Sequence, residues 1–303
     1  MKLQNLRTEQ QNRASTELDL RSALEIARII HHEDRKVATA VEKAIPQIAQ
    51  AIDAITQAIE QGGRLIYVGT GTSGRIAALD AAECPPTFNA NPKTVQYVIA
   101  GGEKALARAV EFSEDSREHG RHDLARKKPG KKDVVVGITA SGRTPYTVGA
   151  VEYARKKGAL TVAVVCNPNS ELGRITDIEI VADVGPEVLS GSTRMKAGTA
   201  QKMILNMLST GAMAKLGYVY GNLMVNVQMK NQKLAARGLT ILQKAAGVDL
   251  TTATEALKTA KNHVPIALIM LMTGLDRRQA QQKLKRTKGN VRKAIEEFRI
   301  DNL

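Results

Sequence analysis

The sequence contains no tryptophan, and aromatic residues make up only 3% of it. So small an aromatic supply argues against a stacking platform for bases or sugar faces. Cysteine is equally scarce: Cys84 and Cys166 are the only two, which suits a reducing compartment and a cytoplasmic protein. No apolar run reaches membrane-spanning length, and the opening MKLQNLRTEQQ lacks an apolar signal core. Membrane association is therefore not expected. The five histidines lack ligand spacing: His31 and His32 are adjacent on a helix, and His119, His122 and His263 are scattered. No metal site is expected from them.

The 303 residues are 43% hydrophobic, enough for one large domain with appendages or for two domains. The formal charge is +14. Most of that excess lies late in the chain, where residues 230–303 carry 15 Lys/Arg against 6 Asp/Glu. This reads as a solvated basic surface; a nucleic-acid partner is not expected, and an anionic substrate is compatible with it.

Residues 1–60 read as a helical segment. Leu18, Leu20, Leu24, Ile26, Ile29 and Ile30, then Val37, Val41, Ile45, Ile48, Ile52, Ile55 and Ile59, fall near helical spacing, with Pro46 at a first turn or kink. From Arg64 the pattern changes to short apolar runs: Leu65–Val68, Val95–Ala100, Val134–Ile138, Thr161–Val165 and Ile178–Val181. Helical stretches separate most of them. Val/Ile-rich runs of this kind predict an α/β fold with a doubly wound parallel sheet flanked by helices. Ligands in such folds sit at the carboxyl ends of the strands. A long helix is expected over Ser192–Leu216 and another from Lys230 to Ala246. Four short helical segments then follow, around Ala253–Ala260, Pro265–Met272, Arg277–Leu284 and Val291–Phe298. The domain reading is 1–60 helical, 61–220 sheet-containing, and 221–303 helical.

The chain is organised around RLIYVGTGTSGRIAALDAAECPPT at Arg64–Thr87. A strand feeding the loop Gly69–Gly74 and then a helix is a phosphate cradle, because free backbone N–H groups and the helix dipole favour an anion there. The string formally satisfies G-x-G-x-x-G, but no acidic residue ends the second strand to hold a ribose. Gly71, Thr72 and Ser73, with Thr70, suit a phosphate monoester better than a bridged pyrophosphate. The helix is read as Arg75–Ala82, stopping at Glu83, with Pro85-Pro86 turning the chain back. A carboxylate there is a candidate for chemistry or simply an exposed turn residue. A second loop, TASGRTP at Thr139–Pro145, repeats the logic, with Ser141 and Thr144 as caps or phosphate contacts. Glu114 lies in the charged run EFSEDSREHGRHD and by pattern alone reads as a solvated face.

These segments carry a family resemblance. GTGTSGR, LDAAECPPTF, IAGGE, EDSREHG, VVGITASGRTPY, CNPNS and GSTRMKAGTAQKMILNMLSTG resemble the sugar isomerase (SIS) fold, and within it the N-acetylmuramic acid 6-phosphate etherases. TEQ at Thr8–Gln10 belongs to the same resemblance, and the tail TGLDRRQAQQKLKRTKGNVRKAI resembles a small UBA-like three-helix unit.

The resemblance implies a lyase acting in cell-wall amino sugar recycling, without a cofactor, on a sugar phosphate carrying a D-lactyl ether at C3. It implies Glu83 as proton donor to the leaving lactate and Glu114 as base at C2. Glu187, in Gly185-Pro186-Glu187, stands where related isomerases carry a base and is expected to contact the sugar. Ser192, Arg194 and Lys196 are expected beside the site, toward phosphate or the lactyl carboxylate. A homodimer is implied as well. A phosphosugar-binding regulator and an aldose–ketose isomerase are the competing readings for the same fold.

Overall fold

The computed structural model describes residues 6–110, 114–227, 229 and 232–301. Its contacts divide the chain into two units: residues 1–81 with 92–210, and residues 82–91 with 211–303. The N-terminal helices thus belong with the sheet.

In the first unit, short 3-10 turns at Arg7–Glu9, Arg13–Ser15 and Leu18–Leu20 precede α1 (Ala23–Glu42) and α2 (Ile45–Glu60). The regular helix expected through Leu18 and Leu20 is therefore absent, and Leu20 is 75% exposed. Ser22 starts α1 instead, with a capping box to Glu25 that satisfies backbone donors on both sides. Pro46 lies in the first turn of α2, where its missing N–H costs nothing.

Next come β1 (Leu65–Gly69), α3 (Gly71–Phe88), β2 (Val95–Ile99), α4 (Lys104–Ala107), α5 (Arg117–Ala125), β3 (Val134–Ile138) and α6 (Pro145–Lys156). β4 (Leu160–Val165), α7 (Glu171–Ile175), β5 (Ile178–Val181) and α8 (Lys196–Lys215) follow. The five strands form one wholly parallel sheet in the order β2-β1-β3-β4-β5. All five coincide with the apolar runs to within a residue at either end.

Every residue of β1 and β3 is buried. Alternation sends Ile66 and Val68 into a cluster with Leu124 of α5 and Tyr146, Val148 and Val151 of α6. The opposite face meets α2 and, through Tyr67, reaches Asp80 of α3 and Leu205 of α8. Each Val or Ile so buried contributes about 1.5–3 kcal/mol. Because β1 has β2 on one side and β3 on the other, the winding direction reverses between β1 and β3. Doubly wound sheets bind ligands at such a switch point.

α3 also departs from expectation. It continues through Pro85 and Pro86 to Phe88 rather than stopping at Glu83. The prolines remove the N–H groups that would pair with the Ala81 and Ala82 carbonyls, yet their fixed φ is helical, so the helix persists.

The second unit contains α9 (Gln232–Ala246), α10 (Leu250–Thr259), α11 (Val264–Thr273), α12 (Arg277–Arg286) and α13 (Val291–Asp301). Leu242, Ala253, Val264, Ala267, Leu268, Ala280, Val291 and Ala294 share its core. The start expected for α9, at Lys230, lies outside the described residues. Asp276 begins α12 with a capping box to Gln279, and Gly274 ends α11 in the left-handed conformation. Among the described residues no helix is long and apolar enough to cross a membrane.

Candidate active site

Two loops leave the sheet at the switch point, one after β1 and one after β3. In the first, α3 begins at once at Gly71, whose φ of +49° favours glycine. The Gly74 amide bonds back to the Thr70 carbonyl at 3.0 Å. A methyl group on Gly74 would stand 2.5 Å from Ile99 Cγ1, so glycine is what lets α3 close against β2. Thr72 and Ser73 therefore sit in the first turn, where backbone N–H groups have no intrahelical acceptor.

In the second loop the Thr144 hydroxyl lies 2.8 Å from the Thr139 hydroxyl and does not cap α6, although Thr144 is the residue before that helix. Ser141 accepts from the Arg143 amide at 3.3 Å and lies 3.3 Å from Thr139 Oγ1.

A cavity of about 370 Å³ lies between these loops. Its walls include Thr70, Gly71, Thr72 and Ser73 from the first and Thr139, Ser141, Arg143 and Thr144 from the second. Glu114 and Asp115 line it too, together with Glu9 and Thr193. The hydroxyl-rich walls, the open first turn of α3 and Arg143 suit a phosphate monoester. Glu114 is anchored there: Thr70 Oγ1 donates to its Oε2 at 3.0 Å, and its carbonyl accepts from the Tyr146 amide at 3.0 Å.

Seven of the residues singled out by sequence therefore share one cavity: Thr70, Gly71, Thr72, Ser73, Glu114, Ser141 and Thr144. Glu83, Glu187, Ser192, Arg194 and Lys196 do not line it. Glu187 is 0% exposed, and its two carboxylate oxygens accept from the backbone N–H groups of Lys196 and Ala197 at 2.9 and 3.0 Å. It caps α8 from outside the helix. The Lys196 ammonium is buried against Glu33 at 2.6 Å. Burial pushes the Glu33 carboxyl up, but hydrogen bonds from Lys196, Lys36 and Asn12 outweigh it and hold the group at about 2. Ser192 precedes α8 by four residues, in a turn where its amide donates to the Leu189 carbonyl at 3.1 Å. Its neighbour Thr193 is the lining residue. Glu83 lies on α3 and is exposed, twelve residues past Gly71 and so about 18 Å along the helix.

Glu9, Asp115, Thr139, Arg143 and Thr193 were not singled out by sequence. Each nonetheless lies inside or beside a quoted motif: TEQ, EDSREHG, TASGRTP or GSTRMK. Cys166, at the end of β4, is fully buried; burial first, then the Glu187 and Asp183 carboxylates, push its thiol up to about 12. It is no nucleophile at neutral pH.

Residues 47–155 match the glucokinase regulatory protein N-terminal SIS domain, and residues 111–211 match the SIS domain. Phosphoheptose isomerases from Neisseria gonorrhoeae and Francisella tularensis superpose with TM-scores of 0.51 and 0.50 at 17% and 20% identity. Each covers 64% of this chain and 100% of the isomerase, which establishes the shared fold. The N-acetylmuramic acid 6-phosphate etherase of Clostridium beijerinckii is 49% identical over 302 residues, covering 100% of this chain and 99% of that protein. That of Aliivibrio fischeri is 51% identical over 293 residues, covering 97% and 98%. The chain belongs to the N-acetylmuramic acid 6-phosphate etherase family.

Proposed function

We infer that this protein cleaves the D-lactyl ether of N-acetylmuramic acid 6-phosphate, giving N-acetylglucosamine 6-phosphate and D-lactate. The observation that carries the reading onto this chain is the meeting of Glu114 with both phosphate-type loops in one cavity.

An alkyl ether is a poor electrophile, so direct hydrolysis is slow. With the ring open, the C1 aldehyde acidifies the C2 proton. Glu114 removes that proton and the electron pair forms the C2–C3 double bond. The C3–O bond breaks as Glu83 protonates the departing lactate oxygen. Water then adds to C3 of the unsaturated aldehyde, with Glu114 as base, and the proton returns to C2. The two loops hold the C6 phosphate through Thr72, Ser73, Ser141 and Thr144, so the sugar is oriented before the chemistry begins.

The α3 geometry supports a homodimer in this reading. A phosphate at the first turn of α3 leaves Glu83 of the same chain about 18 Å farther along the helix, well beyond the reach of C3. A second copy supplies the Glu83 carboxylate. The protein works in the cytoplasm, where its phosphorylated substrate is retained.

Incubation of the purified protein with N-acetylmuramic acid 6-phosphate releases D-lactate in this reading. Folded protein giving none above background overturns it. Mixing inactive Glu83→Gln and Glu114→Gln chains restores part of the activity when the site is shared, and none when it is not.

A further inference from the structure

Glu114 and Glu83 act at C2 and C3, and neither opens the ring. The substrate is a cyclic hemiacetal, and C2 becomes acidic only when C1 is an aldehyde. Opening moves one proton from O1 to O5 as the C1–O5 bond breaks. Both oxygens are bonded to C1, so a single carboxylate beside that carbon can take the proton from O1 and hand it to O5.

Three carboxylates line the cavity: Glu9, Glu114 and Asp115. Glu114 is held by Thr70 and serves C2. Asp115 is exposed, whereas Glu9 is half-buried. Glu9 enters from a different wall, since it and Thr193 are the lining residues from outside residues 70–73, 114–115 and 139–145. Its backbone is held from the N-terminal side. Arg7 pairs with Asp183, and the buried Thr8 hydroxyl accepts from Asn167 Nδ2 at 3.0 Å. The Glu9 amide donates to the Leu6 carbonyl at 3.0 Å. Among the described residues its carboxylate has no hydrogen-bond or ion-pair partner, unlike those of Glu33, Glu114 and Glu187. A rigid turn thus holds an uncommitted, half-buried carboxylate in the phosphate cavity.

We propose that Glu9 is a further catalytic residue, the group that opens the sugar ring by carrying the proton from O1 to O5. This rests on the etherase reading for its substrate, but ring opening is measurable without lactate release. N-acetylglucosamine 6-phosphate has the same hemiacetal and no lactyl group, and two-dimensional exchange NMR reads the interconversion of its anomers directly.

The wild-type protein accelerates that interconversion. In Glu9→Gln, anomer exchange and D-lactate release both fall by about a hundredfold or more, while calorimetric affinity for N-acetylglucosamine 6-phosphate is retained. Wild-type anomer exchange in Glu9→Gln overturns the proposal. So does a wild-type protein that binds the sugar phosphate without accelerating exchange, a result that needs no variant to fold. Accelerated exchange by a protein that releases no D-lactate overturns the etherase reading and leaves the role of Glu9 standing.

Discussion

Lys196 and Glu33, 163 residues apart in sequence, meet as a buried ion pair with 2.6 Å between Nζ and Oε2 and exposures of 1% and 2%. The pair ties α1 to the start of α8. Removing one partner leaves the other charge buried and uncompensated, so Glu33→Gln costs about 3–5 kcal/mol. The pair also makes stability depend on pH. The Glu33 carboxyl falls from 4.5 to about 2 in the folded protein, its three hydrogen bonds outweighing burial. A lowered carboxylate contributes above its unfolded value, so about 3 kcal/mol is present above pH 4.5 and is lost as pH falls toward 2. Denaturation midpoints at pH 7 and pH 3 for wild type and Glu33→Gln measure this; parallel pH trends in the two proteins contradict it.

Glu187 predicts a split between stability and binding. Its carboxylate satisfies two backbone donors at the start of α8. Glu187→Ala leaves both without acceptors and lowers stability by about 2 kcal/mol or more. KM for the phosphosugar stays near the wild-type value because Glu187 does not line the cavity. A large KM increase at unchanged stability reverses the assignment and returns Glu187 to the sugar.

Asp80 carries the opposite pH sign from Glu33. It is buried, and burial raises its carboxyl against hydrogen bonds from Asn206, Tyr67 and Ser209. Such a group contributes most below its unfolded value and loses that contribution as pH rises. Asp80→Asn retains an acceptor without the buried charge. Its stability relative to wild type therefore improves as pH rises from 3.8, the ordinary value of the carboxyl, read from urea midpoints. A constant difference across that range shows that the charge is not the deciding feature.

The two proposed acid–base groups separate in heavy water. Glu114→Gln loses both D-lactate release and deuterium exchange at C2, each by about 10²–10⁴-fold. Glu83→Gln loses lactate release by a similar factor and keeps C2 exchange. Exchange that survives in Glu114→Gln removes Glu114 from the base role.

Ser141→Ala tests the second loop. One lost hydrogen bond to a charged phosphate is about 1.5–3 kcal/mol, so KM rises tenfold or more while kcat changes little. An unchanged KM makes Ser141 a loop-shaping residue, held to the Arg143 amide and Thr139.

The five strands, the two loops and the helices of the second unit were legible in the chain. Buried parallel strands read as unbroken Val/Ile runs, and the switch-point loops need Gly and hydroxyl residues in consecutive positions. Those are local constraints, so local sequence records them. The length of α3 is not legible there, because proline usually ends a helix, while here its fixed φ fits the last turns.

The fate of the charged residues lay beyond local pattern. Glu187 is a cap and Lys196 an ion-pair partner because the amides of α8 and the Glu33 carboxylate stand within hydrogen-bond distance of them. Glu114 gained its place from Thr70, 44 residues earlier. Glu9 lines the same cavity from a turn whose neighbours Arg7 and Thr8 are held by Asp183 and Asn167. A carboxylate's role is set by which donors stand within 3 Å of it, and over such separations chain closure alone brings those donors near.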